Sequence, residues 1–257
     1  MEFDNLKFFD ININLLCLSG LIERVERWIK EGEREGARQV IVSGFHGLYL
    51  SNRNKALRRA VLEADVFVPD GIAPIILARM LKKKHCGRVT GYDFMNAFFE
   101  VANDKGYKSF FLGDTDEVLD KMIKNIECDY PGHKVAGKIS PPFRPLSDRE
   151  ESYIVEKINE SKPDILWVGL GMPKQEIWIH RNLHRLQVPV AAGVGAAFKF
   201  FSGHVKRAPE WIGEMGFEWV WRFFMEPHKL WRRDIIDGPQ FIFQVVKNWD
   251  GIRKENS

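Results

Sequence analysis

Short apolar stretches alternate with longer amphipathic stretches along most of this chain of 257 residues. The short stretches are rich in β-branched and aromatic residues and predict buried strands, while the longer ones carry apolar residues every three or four positions and predict helices. This rhythm starts with one or two strands between Phe8 and Leu18, followed by a helix that we expect Ser19 to cap. It runs on to a strand from Val188 to Ala192. Strands that alternate with helices predict an α/β fold, with a Rossmann-like, mostly parallel sheet and helices on both faces.

The rhythm stops near residue 206, where the composition changes. Residues 207–257 hold five of the eight tryptophans, and basic residues lie between the aromatic ones. We therefore expect a Rossmann-like α/β catalytic core at residues 1–206 and a C-terminal helical appendage at residues 207–257. Interleaved aromatic and cationic side chains are typical of an element that lies on an anionic membrane surface. Aromatic residues that pack on the core, with cations reaching outward, are the alternative interpretation.

Composition excludes several classes of protein. A hydrophobic content of 45% argues against disorder, and a net charge of +3 is too small to indicate a nucleic-acid partner. The three cysteines, Cys17, Cys86 and Cys128, form no C-x-x-C pair, so neither a disulfide framework nor a zinc ribbon is expected. The first residues lack the features of a signal peptide, and no apolar run reaches the length of a membrane span. These features together favour a cytoplasmic location.

One carboxylate stands out at the end of a predicted strand. The apolar run Val66 to Pro69 is broken by Asp70 and Gly71, and an apolar helix follows. Open α/β sheets bind ligands at the carboxyl ends of their strands, which is where this pattern places Asp70. Asp and Gly are also ordinary turn and cap residues, so Asp70 could serve only to begin the helix.

Two glycine-bearing turns also follow predicted strands directly. The first spans Gly169 to Glu176 and includes Gly171, Lys174 and Gln175, and the second spans Gly193 to Phe198. Such turns offer backbone N–H groups, a helix N-terminus and a cation to an anionic ligand, although they also serve as packing devices. Neither turn completes G-x-G-x-x-G or a P-loop, which disfavours nicotinamide and ATP enzymes.

The segment Asp114-Thr115-Asp116 has the D-x-D spacing that many nucleotide-sugar enzymes use to hold a divalent metal ion. The same spacing arises where Asp or Thr caps a helix after a strand, and we favour that interpretation. No metal site and no cofactor are therefore expected.

Taken together, these segments resemble the WecG/TagA/CpsF family of glycosyltransferases over nearly the whole chain. The resemblance rests on Pro69-Asp70-Gly71, Arg88-Val89-Thr90-Gly91 with Asp93, Phe111-Leu112-Gly113, Ser140-Pro141-Pro142-Phe143, Gly169 to Glu176, Gly193 to Phe198, Arg207-Ala208-Pro209, Glu218-Trp219 and Glu226-Pro227.

The resemblance implies an enzyme that moves a sugar from a UDP-sugar to a polyprenyl-diphosphate-linked saccharide during the synthesis of teichoic acid or another cell-surface polysaccharide. The sugar would be N-acetylmannosamine or a related hexose or uronic acid, and the enzyme would lie peripherally on the inner face of the membrane. The resemblance makes Asp70 the catalytic base and Arg222 and Arg232 catalytic arginines. The substrate-binding positions are Ser43, His46, Arg88, Gly169, Gly171, Lys174, Gln175, Gly195, Lys199 and Lys229. The sequence does not predict an oligomeric state.

This chain departs from the family pattern at two places. Lys199 stands where most relatives have Asp, which leaves the identity of the donor open. The turn after the second strand usually contains Thr or Asn, whereas this chain has Ser43-Gly44-Phe45-His46, so either Ser43 or His46 could contact the substrate. Lys199 motivates one alternative, a catalytically dead relative that binds a nucleotide sugar or a lipid. The D-x-D spacing motivates a second, a metal-dependent glycosyltransferase that uses Asp114 and Asp116.

The chemistry of such a transfer asks for few groups. Displacement of UDP with inversion needs one carboxylate that deprotonates the acceptor hydroxyl on the face opposite the leaving group, and Asp70 is the candidate. Charge on the departing diphosphate must be neutralised by a metal ion or by fixed cations. Without a convincing metal site, we expect arginines and lysines to do this, including Arg222, Arg232, Arg233 and Lys229.

Overall fold

The computed structural model describes residues 4–32, 35–209 and 218–256, and the structural statements below concern these residues. They form a two-stranded antiparallel sheet and a six-stranded sheet in the order β4-β3-β8-β7-β5-β6, in which every pairing is parallel. The predicted Rossmann-like α/β fold is confirmed. The strands are β1 (Asn5–Phe8), β2 (Ile11–Asn14), β3 (Arg38–Ser43), β4 (Val66–Pro69), β5 (Lys108–Gly113), β6 (Lys134–Ile139), β7 (Ile165–Gly169) and β8 (Val190–Gly193).

Helices connect the parallel strands and continue beyond them. The helices of the α/β part are α1 (Leu18–Glu31), α2 (Phe45–Ser51), α3 (Lys55–Leu62), α4 (Ile72–Met80), α5 (Gly91–Lys105), α6 (Asp116–Asp129), α7 (Asp148–Ser161), α8 (Lys174–Asn182) and α9 (Ala197–Phe201). The C-terminal part holds α10 (Glu218–Met225), α11 (Pro227–Trp231), a π-helical segment (Arg232–Asp237), α12 (Gly238–Lys247) and α13 (Trp249–Glu255).

Side chains alternate between the two faces of the large sheet, as the period of a strand requires. In β3, Val40 and Val42 pack into one apolar cluster together with helices α1, α5, α6 and α9. Ile41, between them, packs into a second cluster that includes side chains of α2, α3 and α4. Helices therefore cover both faces, and only the edges of the sheet are left for a site.

The start of the chain differs in two ways from the sequence prediction. The segment predicted as one or two strands is the hairpin β1–β2, which does not join the large sheet. The expectation that Ser19 caps α1 is wrong, because the helix begins at Leu18 and Cys17 occupies the N-cap position without a side-chain hydrogen bond. Ser19 is thus inside the first turn.

The C-terminal helices share an apolar cluster with the hairpin. Phe241 of α12 and Ile252 of α13 are buried together with Leu6 and Phe8, and the ring centroids of Phe8 and Phe241 lie 5.5 Å apart. Burial of a large apolar side chain contributes about 1.5–3 kcal/mol. The appendage is therefore anchored to the first residues of the chain. Among the described helices, none is both long enough and apolar enough to cross a bilayer.

Two cysteines meet in a way that the sequence did not predict. Cys17, which precedes α1, forms a disulfide with Cys86 across 69 residues, with 5.0 Å between the Cα atoms. That Cα separation is within the range of protein disulfides. The expectation of no disulfide was wrong because the two residues share no local spacing and meet only through the tertiary fold. Cys128 is free and exposed.

A buried histidine gives the fold a testable pH dependence. His133 is 5% exposed, its Nε2 lies 2.8 Å from Ser109 Oγ, and burial lowers its pKa from 6.5 to about 4. The unfolded chain takes up this proton near pH 6.5, whereas the folded chain takes it up only near pH 4. The contribution of His133 to the free energy of unfolding is therefore fully present above pH 6.5 and is lost as the pH drops toward 4.

We expect His133→Gln to lose less unfolding free energy than the wild-type protein between pH 6.5 and 4, because glutamine does not titrate. Chemical denaturation at several pH values measures this difference. Equal losses in the two proteins would contradict the assignment.

Candidate active site

Asp70 and Ser43 lie next to each other where β4 and β3 end. Asp70 follows β4 directly and is half-buried, and its backbone N–H donates to the carbonyl oxygen of Ser43 at 2.9 Å. The chain after Ser43 passes so close that a Cβ atom on Gly44 would clash with the carbonyl oxygen of Asp70. Glycine at this position therefore allows the two strand ends to meet, which brings two predicted site residues together.

The loop that carries Arg88 is tied to the same strand end. The N–H of Val89 donates to the carbonyl oxygen of Pro69 at 2.9 Å, so the half-buried Arg88 lies beside the end of β4. Helix α5 starts at Gly91, and Thr90 caps it. The Oγ1 of Thr90 accepts a hydrogen bond from the N–H of Asp93 at 3.1 Å and donates one to the carboxylate of Asp93 at 2.7 Å. Asp70 and Arg88 thus lie near the same strand end, and the roles of both residues stay predictions.

Gln175 joins the two glycine-bearing turns. Its Oε1 accepts hydrogen bonds from the N–H groups of Gly171 and Gly195, both at 3.1 Å. Both glycines have positive φ angles, 77° and 55°, which other residues rarely adopt. The sequence suggested that these two N–H groups would be available to an anion. Both instead donate to Gln175 within the protein. Gln175 is 2% exposed, and its contact with a substrate stays a prediction.

One contact connects the two halves of this edge. Ser43 Oγ lies 3.5 Å from the sulfur of Met172, which belongs to the turn after β7. A Cβ atom on Gly47 in α2 would clash with Ser43 Oγ and crowd the same methionine. The end of β3 and the turn after β7 are therefore packed against each other, although β8 lies between the two strands in the sheet.

Lys199 lies further along the same edge. It lines a cleft of about 410 Å³ together with Asp114, Glu117, His204 and Glu226, among others. His204 pairs with Glu117 at 3.4 Å. The cleft is bounded by α6, by α9 and by the appendage, and it holds charges of both signs.

The D-x-D segment borders this cleft and serves as a helix cap. Asp114 Oδ1 accepts from the N–H of Thr115 at 3.0 Å, and the hydroxyl of Thr115 accepts from the N–H of Val118 at 3.3 Å. Asp116 is in the first turn of α6, where a negative charge is favourable. Among the described residues, no three His, Cys, Asp or Glu side chains are grouped as metal ligands would be.

The appendage reaches both ends of this edge. At the β3 end, His46 Nε2 lies 3.2 Å from Asp237, and Tyr49 of α2 bonds to Gln240. Burial lowers the pKa of His46, and the carboxylate of Asp237 opposes that shift. His46 is thus paired with the appendage, while Ser43 is buried and contacts Met172, so both stay predicted substrate contacts.

At the other end, Arg222 of α10 places its guanidinium 5.6 Å from the ring centre of Phe200 and 3.9 Å from Glu226. The start of the appendage is fixed as well, because Arg207 pairs with Asp93 at 2.5 Å and lies over the ring of Tyr92. The appendage therefore spans from the Lys199 cleft to the β3 end of the edge.

The remaining predicted residues are placed as follows. Arg232 is exposed at the start of the π-helical segment, and Lys174 is exposed at the start of α8. Gly169 is the last residue of β7. The side chain of Lys229 and the whole of Trp211 lie outside the described residues.

Sequence reasoning missed Glu176, which is fully buried next to Gln175. Its Oε1 accepts from Gln175 Nε2 at 2.8 Å, and desolvation by burial raises the pKa of this carboxyl to about 7. A glutamate in the first turn of a helix is usually a solvated residue, so its position gave no warning of burial. The pairing of His46 with Asp237 was also missed, because the two residues are 191 positions apart and no local pattern connects them.

This arrangement offers the half-buried carboxylate of Asp70 near the Arg88 loop, with Lys199 further along the carboxyl edge of the parallel sheet. A carboxylate there can accept a proton from a bound hydroxyl, and arginine and lysine can neutralise an anionic leaving group. The edge is thus suited to group transfer between two bound substrates.

Comparison with known proteins identifies relatives over nearly the whole chain. The model of the glycosyl transferase WecG/TagA/CpsF family matches residues 6–255. An N-acetylglucosaminyldiphosphoundecaprenol N-acetyl-beta-D-mannosaminyltransferase of Bacillus spizizenii is 33% identical over 196 residues, which cover 76% of this chain and 74% of the relative. Proteins with the same name from Bacillus subtilis, at 32% over 73% of this chain and 71% of the relative, and from Staphylococcus aureus, at 29% over 78% and 76%, are also similar.

Proposed function

Because this chain belongs to the WecG/TagA/CpsF family of glycosyltransferases, we propose that it moves a sugar from a UDP-sugar to a polyprenyl-diphosphate-linked saccharide in the synthesis of a cell-surface polymer such as teichoic acid. The printed names of its relatives describe transfer of N-acetylmannosamine to an undecaprenyl-diphosphate-linked acceptor. For this chain, N-acetylmannosamine or a related hexose or uronic acid is the proposed sugar. The position of Asp70 between Ser43 and the Arg88 loop carries the proposal.

In the proposed reaction Asp70 is the general base. It takes the proton from the acceptor hydroxyl while the oxygen attacks the anomeric carbon, and the bond to the UDP oxygen breaks on the opposite face, so the configuration inverts. Arg88, beside the same strand end, is proposed to bind the substrate, and Ser43 or His46 would contact the sugar. Gly169, Gly171 and Gly195 would form the wall against which the donor lies.

We expect Asp70→Asn to lower turnover by roughly two to four orders of magnitude, the usual contribution of a general base, with the fold and UDP binding retained. Asp65→Asn is a matched control, because Asp65 lies at the opposite end of the same strand and accepts from the N–H of Gln39. Initial rates with a UDP-sugar and a lipid-linked acceptor measure both variants. Near-normal turnover in Asp70→Asn would remove Asp70 from the mechanism.

Fixed cations are proposed to neutralise the departing diphosphate. The candidates are Lys174, Lys199, Arg222, Lys229 and Arg232. Arg222 is near the cleft that Lys199 lines, because it pairs with Glu226, which lines the same cleft. The capping role of the D-x-D segment supports transfer without a metal ion.

We therefore expect turnover to be unchanged by EDTA and unaffected by added Mg²⁺ or Mn²⁺. As a matched variant, Asp114→Asn keeps the oxygen that Thr115 uses and should retain activity. Activity that is lost in EDTA, restored by a divalent ion and abolished in Asp114→Asn would favour the metal-dependent alternative that uses Asp114 and Asp116.

Peripheral membrane binding at the cytoplasmic face is proposed for the appendage. Several large apolar side chains of this part are exposed, among them Phe224 at 76%, Phe243 at 68% and Ile242 at 63%. Four cationic side chains are exposed in the same part of the chain, namely Arg232, Lys247, Arg253 and Lys254. Apolar side chains that enter the lipid boundary together with cations that meet anionic headgroups give reversible surface binding.

The double change Ile242→Ser and Phe243→Ser should lower binding to anionic phospholipid vesicles by roughly tenfold, about 1.4 kcal/mol, without unfolding the protein. Leu62→Ser on α3 is the control, since Leu62 is 45% exposed and belongs to the α/β part. Vesicle co-sedimentation measures binding. Transfer to a membrane-embedded acceptor should fall in parallel, whereas transfer to a short-chain, water-soluble acceptor should not. Wild-type vesicle binding by the double variant would contradict the membrane proposal.

A further inference from the structure

Glu176 is a buried acidic side chain that forms no ion pair with any residue that the structure describes. It is 0% exposed, and its Oε2 has no hydrogen-bond partner among the described residues. Burial of a carboxyl group with an unsatisfied oxygen costs stability, and replacement by an apolar residue of similar volume is often neutral or stabilising. Desolvation of this carboxyl group therefore opposes folding, and its hydrogen bond with Gln175 is the described contact that offsets the cost.

Glu176 and two glycine N–H groups together set which way the amide of Gln175 faces. The Oε1 of Glu176 lies 2.8 Å from Gln175 Nε2, which must donate to it. The other end of the amide, Oε1, is then the end that meets the two glycine N–H groups. If the amide were reversed, an NH₂ group would face both N–H donors and an oxygen would face the carboxyl oxygen of Glu176. An acceptor at position 176 thus selects one of two nearly isosteric orientations.

The orientation of Gln175 in turn fixes the distance between two turns of the candidate active site. Gly171 follows β7 and Gly195 follows β8, and one oxygen accepts from both. The packing is close, because a Cβ atom on Gly193 would lie 2.9 Å from Gln175 Nε2. The helix is held from the other side, since Gln39 of β3 donates to the backbone carbonyl of Glu176 at 3.0 Å. A change at Glu176 therefore reaches both turns through one side chain.

We propose that Glu176 is a positioning residue for glycosyl transfer, which holds Gln175 so that the turns at Gly171 and Gly195 keep the spacing that the sugar donor requires. This inference rests on the proposed function for its effect on catalysis. Glu176 does not itself reach the substrate, because its side chain has no exposed surface.

The test compares Glu176→Leu with Glu176→Gln. Leucine removes the acceptor, so we expect kcat to fall at least about tenfold and the KM for the UDP-sugar to rise, with the KM for the acceptor unchanged. Because this change also leaves the buried Gln175 Nε2 without its acceptor, the rates of all variants are compared at a temperature at which each protein is fully folded. Glutamine keeps an oxygen that can accept from Gln175, so Glu176→Gln should stay within about threefold of wild-type kcat.

As a control on the same helix, Asn182→Leu removes buried hydrogen bonds to Glu151 and Trp178 and should lower stability but not kcat.

A measurement without turnover separates this inference from the proposed function. Hydrogen–deuterium exchange of the segments that contain Gly171 and Gly195 should be faster in Glu176→Leu than in the wild type and unchanged in Glu176→Gln. If exchange is faster in Glu176→Leu but the wild-type protein transfers no sugar, the positioning role is supported and the proposed function is contradicted. Unchanged exchange in Glu176→Leu, or a loss of activity that only follows a loss of stability, would overturn the inference.

Discussion

The site depends on one geometric constraint: in a fully parallel sheet all strands end at the same edge. The order β4-β3-β8-β7 places four strand ends side by side, and each end carries a different component. Asp70 follows β4, Ser43 ends β3, and glycine turns follow β8 and β7. Residues that are far apart in the sequence, such as Ser43 and Gly195, thus lie on one edge without any local signal. The helices on both faces leave this edge as the place where substrates can bind.

Close backbone approach and one buried side chain, Gln175, hold the edge together. Gly44 lets the chain after β3 pass the carbonyl of Asp70, and Gly193 makes room for Gln175. Gln175 then links two turns through a single oxygen, and Glu176 supports it at a cost in stability. An arrangement of this kind trades stability for a fixed geometry, which is the trade expected at a site that must orient two substrates.

The sequence predicted the architecture well and the interior of the site poorly. Strand and helix periodicity correctly indicated the parallel sheet, because burial on two faces leaves a strong pattern. The resemblance pointed to Asp70 and Arg88, which the structure places at one strand end. The pairing of His46 with Asp237 and of Cys17 with Cys86 had no signal, since both depend on tertiary contacts. Gln175 was expected to face a substrate, whereas both ends of its amide bond to protein groups, and Glu176 read as an ordinary helix residue.

We propose that one carboxylate, that of Asp70, activates the acceptor for direct displacement of UDP. The most direct test is the anomeric configuration of the new linkage, determined by NMR of the product formed from a UDP-α-sugar. Direct displacement with a single base predicts a β-linked product. An α-linked product would require a second nucleophile or a different course of reaction, and it would exclude direct displacement.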